Sequence, residues 1–346
     1  MVGSIENDRK LKFILFFYKL IIYKNRMNIV KYIMYFIILT AVGILYERYN
    51  SKYNVFDETK QYDLIKKYLL NESSLATSKK PIIWIHTNYE VNARNWQSFY
   101  SRNSSNLNQP YIMLTLRSII THCGNDFNIC LIDDKSFARL IPGWSIDIYN
   151  MADPIKSHFR GQALSKLLYY YGGMLVPNTF LCKQNLKPIF EQNRGNPFIF
   201  ETIDRTITSY KSVGFANSRF MGCEKKNPVM KEMYEYIEQL CSTDYTSEKD
   251  FLGIINKWCY QKYIERKMAL LSGKLIGTID MKEKPVIIDD LLGEKFIDFD
   301  NNLFGIYIPG DEILARSKYA WFARLSTKQV LENNTILGKH FLTCQQ

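Results

Sequence analysis

Leu167–Phe180 reads LLYYYGGMLVPNTF. Leu164, Leu167, Leu168 and Tyr171 recur at helical spacing, and Gly172-Gly173 ends that pattern. Met174–Val176 follows without a linker as a short apolar run, which predicts a buried strand. A chain that leaves a helix through two glycines and enters a buried strand at once is building an α/β sheet. The neighbouring segments keep the same rhythm. Ile82–Ile85 reads as a strand. Asn108–His122 reads as a helix with Ile112, Leu116, Ile119 and Ile120 on one face, stopped by Gly124. Asn128–Ile132 is a buried strand ending in Asp133-Asp134, and Pro154–Tyr171 carries the next helix. The alternation predicts a mostly parallel sheet with flanking helices. Ligands of such sheets bind beyond the carboxyl ends of the strands. That rule selects Asp133-Asp134 and Pro177–Thr179.

Beyond this block the signals are local. Phe198–Phe200 reads as a strand followed by Glu201. Asn227-Pro228 opens a helix whose core face is Val229, Met233, Ile237 and Leu240. Ser247–Asp250 resembles a capping box before Phe251, Ile255, Trp258 and Cys259. Pro285–Asp289 and Phe304–Ile308 read as strands.

The N-terminal region has another character. Ile29–Tyr46 is an apolar run with one charge, Lys31, near the short end of a spanning helix. Basic residues crowd its upstream flank, from Lys10 to Lys31, while the downstream flank is mixed in sign. The positive-inside rule then keeps residues 1–28 cytosolic and carries the rest across as a single-pass type II protein. Residues 47–80 read as a polar stem, and residues 81–346 as the folded domain, lumenal or extracytoplasmic. Asn71, Asn103 and Asn333 would then be glycosylation acceptors. The net charge of +11 is diffuse, and no zinc spacing or aromatic-basic module accompanies it. Nucleic acid is therefore not an expected partner. None of the 7 cysteines forms a CxxC pair, and Cys130 and Cys259 read as small core residues.

Four pieces, in order, resemble a known pattern: Ile82–His86 (IIWIH), Leu116–Asp134, Leu164–Phe180 and Asn217–Met230 (NSRFMGCEKKNPVM). Together they resemble the glycosyltransferases of the GT-A type whose sugar-binding region carries a DxD motif. That group includes fungal α-mannosyltransferases and bacterial capsular-polysaccharide transferases. The resemblance implies a GT-A-like, Rossmann-like domain preceded by one transmembrane helix. It implies a nucleotide-sugar donor, and a glycan or glycoconjugate acceptor in a Golgi- or ER-like lumen or outside the cell. The departures are specific. The family's Asp and Arg, eleven and eight residues before the first glycine, are Gly161 and Leu164 here. The two DxD aspartates are Pro177 and Thr179, with Asn178 between them.

A departing diphosphate needs its charge stabilised, commonly by a divalent ion on carboxylate oxygens. Proline supplies no ligand and threonine only a neutral oxygen, so no metal ligand is assigned and a divalent metal is not expected at Val176–Thr179. Three chemistries stay open. In the first the enzyme is metal-independent, with Arg160, Lys166 or Arg219 at the diphosphate. In the second a metal sits elsewhere, with Asp133-Asp134 as the remaining acidic pair. In the third the fold has lost catalysis and acts as a membrane-anchored glycan-binding or scaffold protein. The catalytic candidates are Glu201, Asp133 and Asp134. The donor-binding candidates are His86, Gly172, Gly173, Asn178, Thr179, Arg160, Lys166 and Asn217. Each has an ordinary alternative: a strand-end His86, an acidic turn at Asp133-Asp134, a turn Asn217, surface charges at Arg160 and Lys166. Trp321, in KYAWFARLS, reads as a core residue before a sugar platform.

Overall fold

A computed structural model describes residues 40, 42–44, 80–87, 109–205, 211–243 and 253–344. The chain divides into two compact units, Met1–Asp57 and Glu58–Gln346. The expected anchor Ile29–Tyr46 lies outside the described residues except for Thr40 and Val42–Ile44, as do residues 1–28 and all of the stem but Lys80. Among the described residues no helix is long and apolar enough to cross a membrane. Ser247–Asp250 also lies outside them.

The larger unit is built around one six-stranded sheet. Its strands are β1 (Ile82–His86), β2 (Asn128–Ile132), β3 (Gly173–Leu175), β5 (Phe198–Arg205), β6 (Lys211–Cys223) and β7 (Ala269–Leu271), in the order β2-β1-β3-β6-β5-β7. β1 pairs parallel with β2 and β3, and β5 parallel with β7. β6 runs antiparallel to both β3 and β5, so it alone opposes the other strands. The sheet is thus mostly parallel with one reversed strand. Carboxyl ends of β1, β2 and β3 fall on the same edge. A second, two-stranded sheet pairs β4 (Phe180–Cys182) with β8 (Gly305–Tyr307) and draws the C-terminal region against the turn after β3.

β1 and β2 are nearly continuous apolar runs because helices and loops cover both faces. Flanking helices are α1 (Tyr111–Cys123), α2 (Ile155–Tyr171), α3 (Pro228–Thr243), α4 (Ile254–Ile264) and, at the end of the chain, α5 (Ile336–Thr343). α2 packs on α3, where Gly161 admits Ile237 and Ile255. Leu167, Leu168, Trp84, Ile132, Met221 and Met233 share one core.

α1 is attached to the segment after β3 at three points. Thr115 Oγ1 donates to the Asn178 carbonyl at 2.5 Å, Ser118 Oγ accepts from the Cys182 amide at 2.9 Å, and the thiols of Cys123 and Cys182 touch at 3.8 Å. Cys130 and Cys259 are fully inside the core, and burial pushes each thiol up to about 12.

The glycine joint explains itself sterically. Gly172 and Gly173 have φ of +70° and +101°. A Cβ on Gly173 would lie 2.1 Å from the Ile82 carbonyl oxygen, and one on Gly172 would lie 2.6 Å from the Lys225 nitrogen. The indole of Trp84 donates to the Gly172 carbonyl at 2.9 Å and fixes the joint to β1.

Several expectations change. The strand at Phe198 extends to Arg205, so Glu201 lies inside β5 and not past its end. Asn217 lies inside β6, paired with Phe200, and is not a turn residue. Pro285–Asp289 is not a strand: Pro285 makes a single bridge to Ile279, and Ile288–Leu291 is a short helix. Asp289 and Asp290 sit in that helix's first turn, where negative charge is favourable.

Candidate functional site

Three residues selected from the sequence meet at the strand-end edge. His86 ends β1, Asp134 follows β2 by two residues, and Arg160 projects from α2. The Asp134 carboxylate accepts from His86 Nε2 at 2.9 Å and from Arg160 through a fork, Nε at 2.9 and 3.1 Å and Nη2 at 2.7 Å. The side chains of His86, Asp134 and Arg160 are only 13%, 14% and 13% exposed. The His86 ring lies parallel to Phe137 at 5.6 Å between centroids. Burial pulls the Asp134 carboxyl pKa up, but the hydrogen bonds and charges of His86 and Arg160 outweigh it. The group is held well below the usual carboxylate range.

Asp133 does something else. Its Oδ1 accepts from the Ser136 amide at 2.9 Å and the Ser136 hydroxyl at 2.5 Å, a side-chain cap on the turn three residues on. The turn shapes the loop that delivers Asp134. Asp133-Asp134 is therefore not a free acidic pair.

Past β3 the side chains hold the scaffold. Asn178 offers its carbonyl to Thr115. Thr179 is buried and donates its hydroxyl to the Ile308 carbonyl at 2.7 Å. Replacing Thr179 by valine should lower stability by about 1–2 kcal/mol, the usual cost of orphaning a buried acceptor. A urea titration that shows no loss would refute that role. Gly172 and Gly173 act through their missing side chains, as above.

The remaining candidates do not join that cluster. Lys166 leaves the edge and lies over Trp144 and Tyr234, at 5.7 and 5.4 Å from the ring centroids. Asn217 turns its Oδ1 to the Arg219 amide at 2.9 Å. Glu201 Oε2 accepts from the Gly273 amide at 2.9 Å, and its carbonyl accepts from Thr278. Trp321 is not in the core: it is 43% exposed, edge-on to Phe322, which takes the buried position.

Sequence reasoning missed Tyr111 and Asp311. Tyr111 is fully buried, and its phenol has no hydrogen-bond partner. The hydroxyl lies 3.1 Å from where a side chain on Gly310 would begin, and the Thr179 methyl lies 2.6 Å from the same point. Asp311 accepts from Arg219 Nη1 at 2.6 Å. An orphan buried phenol has no sequence signature; only the fold exposes it.

The donor set at this edge does not suit a divalent ion. Pro177 offers no side-chain oxygen, Thr179 and Asp133 are engaged with the protein, and Asp134 is neutralised by Arg160. Among the described residues, no group of three His, Cys, Asp or Glu side chains gathers where it could hold a metal.

No family model matches the chain, and no curated protein matches it. Among solved structures, it is similar to the apo-form glycosyltransferase GlyE of Streptococcus pneumoniae TIGR4. The TM-score is 0.34 with 10% identity, over 57% of this chain and 46% of that one. The likeness is too slight to carry any statement about activity.

Proposed function

We propose that this protein transfers a sugar from a nucleotide-sugar donor to a glycan or glycoconjugate acceptor. The observation that supports the reading is the meeting of His86, Asp134 and Arg160 beyond the carboxyl ends of β1 and β2. That is where open α/β sheets take nucleotides. A carboxylate held ionised between an imidazole and a guanidinium presents fixed hydrogen-bonding groups to a base or ribose. In the reaction the acceptor oxygen bonds to the anomeric carbon, and that carbon's bond to the diphosphate oxygen breaks. The electron pair leaves with the diphosphate, and the acceptor's hydroxyl proton goes to a base. Glu201 is the proposed base: Oε2 is tied to Gly273, which orients the carboxylate and leaves Oε1 to accept a proton. The N-terminal run Ile29–Tyr46 is proposed to anchor the domain to a membrane as a type II protein, with the catalytic edge lumenal or extracytoplasmic.

The test is turnover of a panel of nucleotide sugars by the full-length chain, with magnesium, with manganese and with a chelator. Release of nucleoside diphosphate from one donor is the expected result. No turnover and no binding of any donor would remove the reading. Donor binding without turnover would leave a non-catalytic, donor-binding protein on the same scaffold.

A further inference from the structure

We propose that Arg219 binds the donor's diphosphate in place of a divalent ion. The inference rests on the sugar-transfer reading and names the group that would stabilise its leaving charge.

Contact places Arg219 beside the turn after β3. The β3–β6 ladder ends at Leu175 with Met221, two residues from Arg219. Gly310 packs directly on Thr179, and its neighbour Asp311 accepts from Arg219. The cation therefore stands beside the positions where carboxylates are missing.

The chain holds Arg219 there with some care. Ile199 pairs with Met221, but the next residue, Phe200, pairs with Asn217. One step on β5 thus spans four on β6, and Ser218, Arg219 and Phe220 form a bulge. Bulges of this kind re-aim a side chain beside a site. Phe220 anchors the bulge between Phe180 and Phe200, at 4.9 and 4.2 Å between centroids. Asn256 Oδ1 takes the Ser218 amide and Asn217 Oδ1 takes the Arg219 amide, each at 2.9 Å. The backbone is pinned while the guanidinium stays 62% exposed.

Its contact with Asp311 is replaceable. Asp311 is 82% exposed, and a solvated pair of this type contributes little. A diphosphate carries more charge than a carboxylate and accepts the guanidinium fork through two oxygens. Arg160 cannot serve in the same way, because its fork already grips Asp134 in a half-buried setting. As the bond to the sugar breaks, charge accumulates on the diphosphate oxygens, where a positioned guanidinium is most effective.

The test compares nucleosides with their diphosphates by calorimetric titration of the full-length chain in chelator, across adenine, guanine, uracil and cytosine. The wild type should bind one diphosphate about tenfold or more tightly than its nucleoside, the scale of a charge-assisted contact. Arg219→Gln should reduce that ratio to about threefold or less, and Arg219→Lys should keep part of it. Nucleoside affinity and melting temperature should not change in either variant. A ratio that survives in Arg219→Gln, or that appears only with magnesium or manganese, would overturn the proposal and leave the wider reading intact. A wild-type chain that binds neither nucleoside nor diphosphate would overturn both.

Discussion

Gly173→Ala is expected to unfold the domain or leave it barely stable. The new Cβ would lie 2.1 Å from the Ile82 oxygen and 2.9 Å from the Ile82 carbon, both backbone atoms of β1. Neither can yield without separating β1 from β3. An alanine at φ of +101° is also strained. Such strain costs about 1–3 kcal/mol, and overpacking adds about 1–3 kcal/mol. Together these approach a sizeable share of a typical domain's stability. The measurement is the melting temperature of soluble protein, or its absence from the soluble fraction. A drop of at least about 4 °C is expected for a domain of this size. An alanine variant that melts with the wild type would show that the joint is not packed as described.

Asp134→Ala is expected to have the next largest effect, about 3 kcal/mol, because it strands the Arg160 charge in a site 13% exposed. Asp134→Asn tests the electrostatic part separately. Asp134 has a lower pKa folded than unfolded, where it lies near 3.9. The unfolded chain therefore takes up the proton first as pH falls. The stabilisation is fully present above about pH 5 and is lost progressively below about pH 4. Urea titrations at about pH 5 and about pH 3 should show the wild type losing about 1 kcal/mol more than Asp134→Asn. Equal losses would mean that the carboxylate is not held ionised by His86 and Arg160.

Much of the scaffold was legible because its signals are local. Helical spacing marked α1 and α2, continuous apolar runs marked β1 and β2, and two glycines marked the joint. β6 was not legible. Its 13 residues, KSVGFANSRFMGC, mix polar and apolar residues, and the bulge at Ser218–Phe220 breaks the alternation that would announce a strand. Its reversed direction could not be read either, since direction depends on partners. β4 and β7 are three residues each, too short for any period.

The site divides in the same way. Its edge followed from a rule about strand ends, and His86, Asp134 and Arg160 were each selected. Their mutual bonding was not, because it joins residues 48 and 26 positions apart. Arg160 was weighed as a diphosphate cation; the fold commits it to Asp134. Trp321 was read as core because a tryptophan brings a large apolar surface, but the neighbouring Phe322 fills that place.

The floor and the rim of this edge answer to different pressures. Gly172, Gly173 and Gly222 have no room for a side chain, the last with Phe198 carbons 2.4 and 2.8 Å from its missing Cβ. A side chain at any of the three would have to displace what packs there. Pro177 and Asn178 stand half-buried at the rim, where folding checks them lightly. Packing therefore fixes the floor, while the rim is where side chains can change without disturbing the architecture.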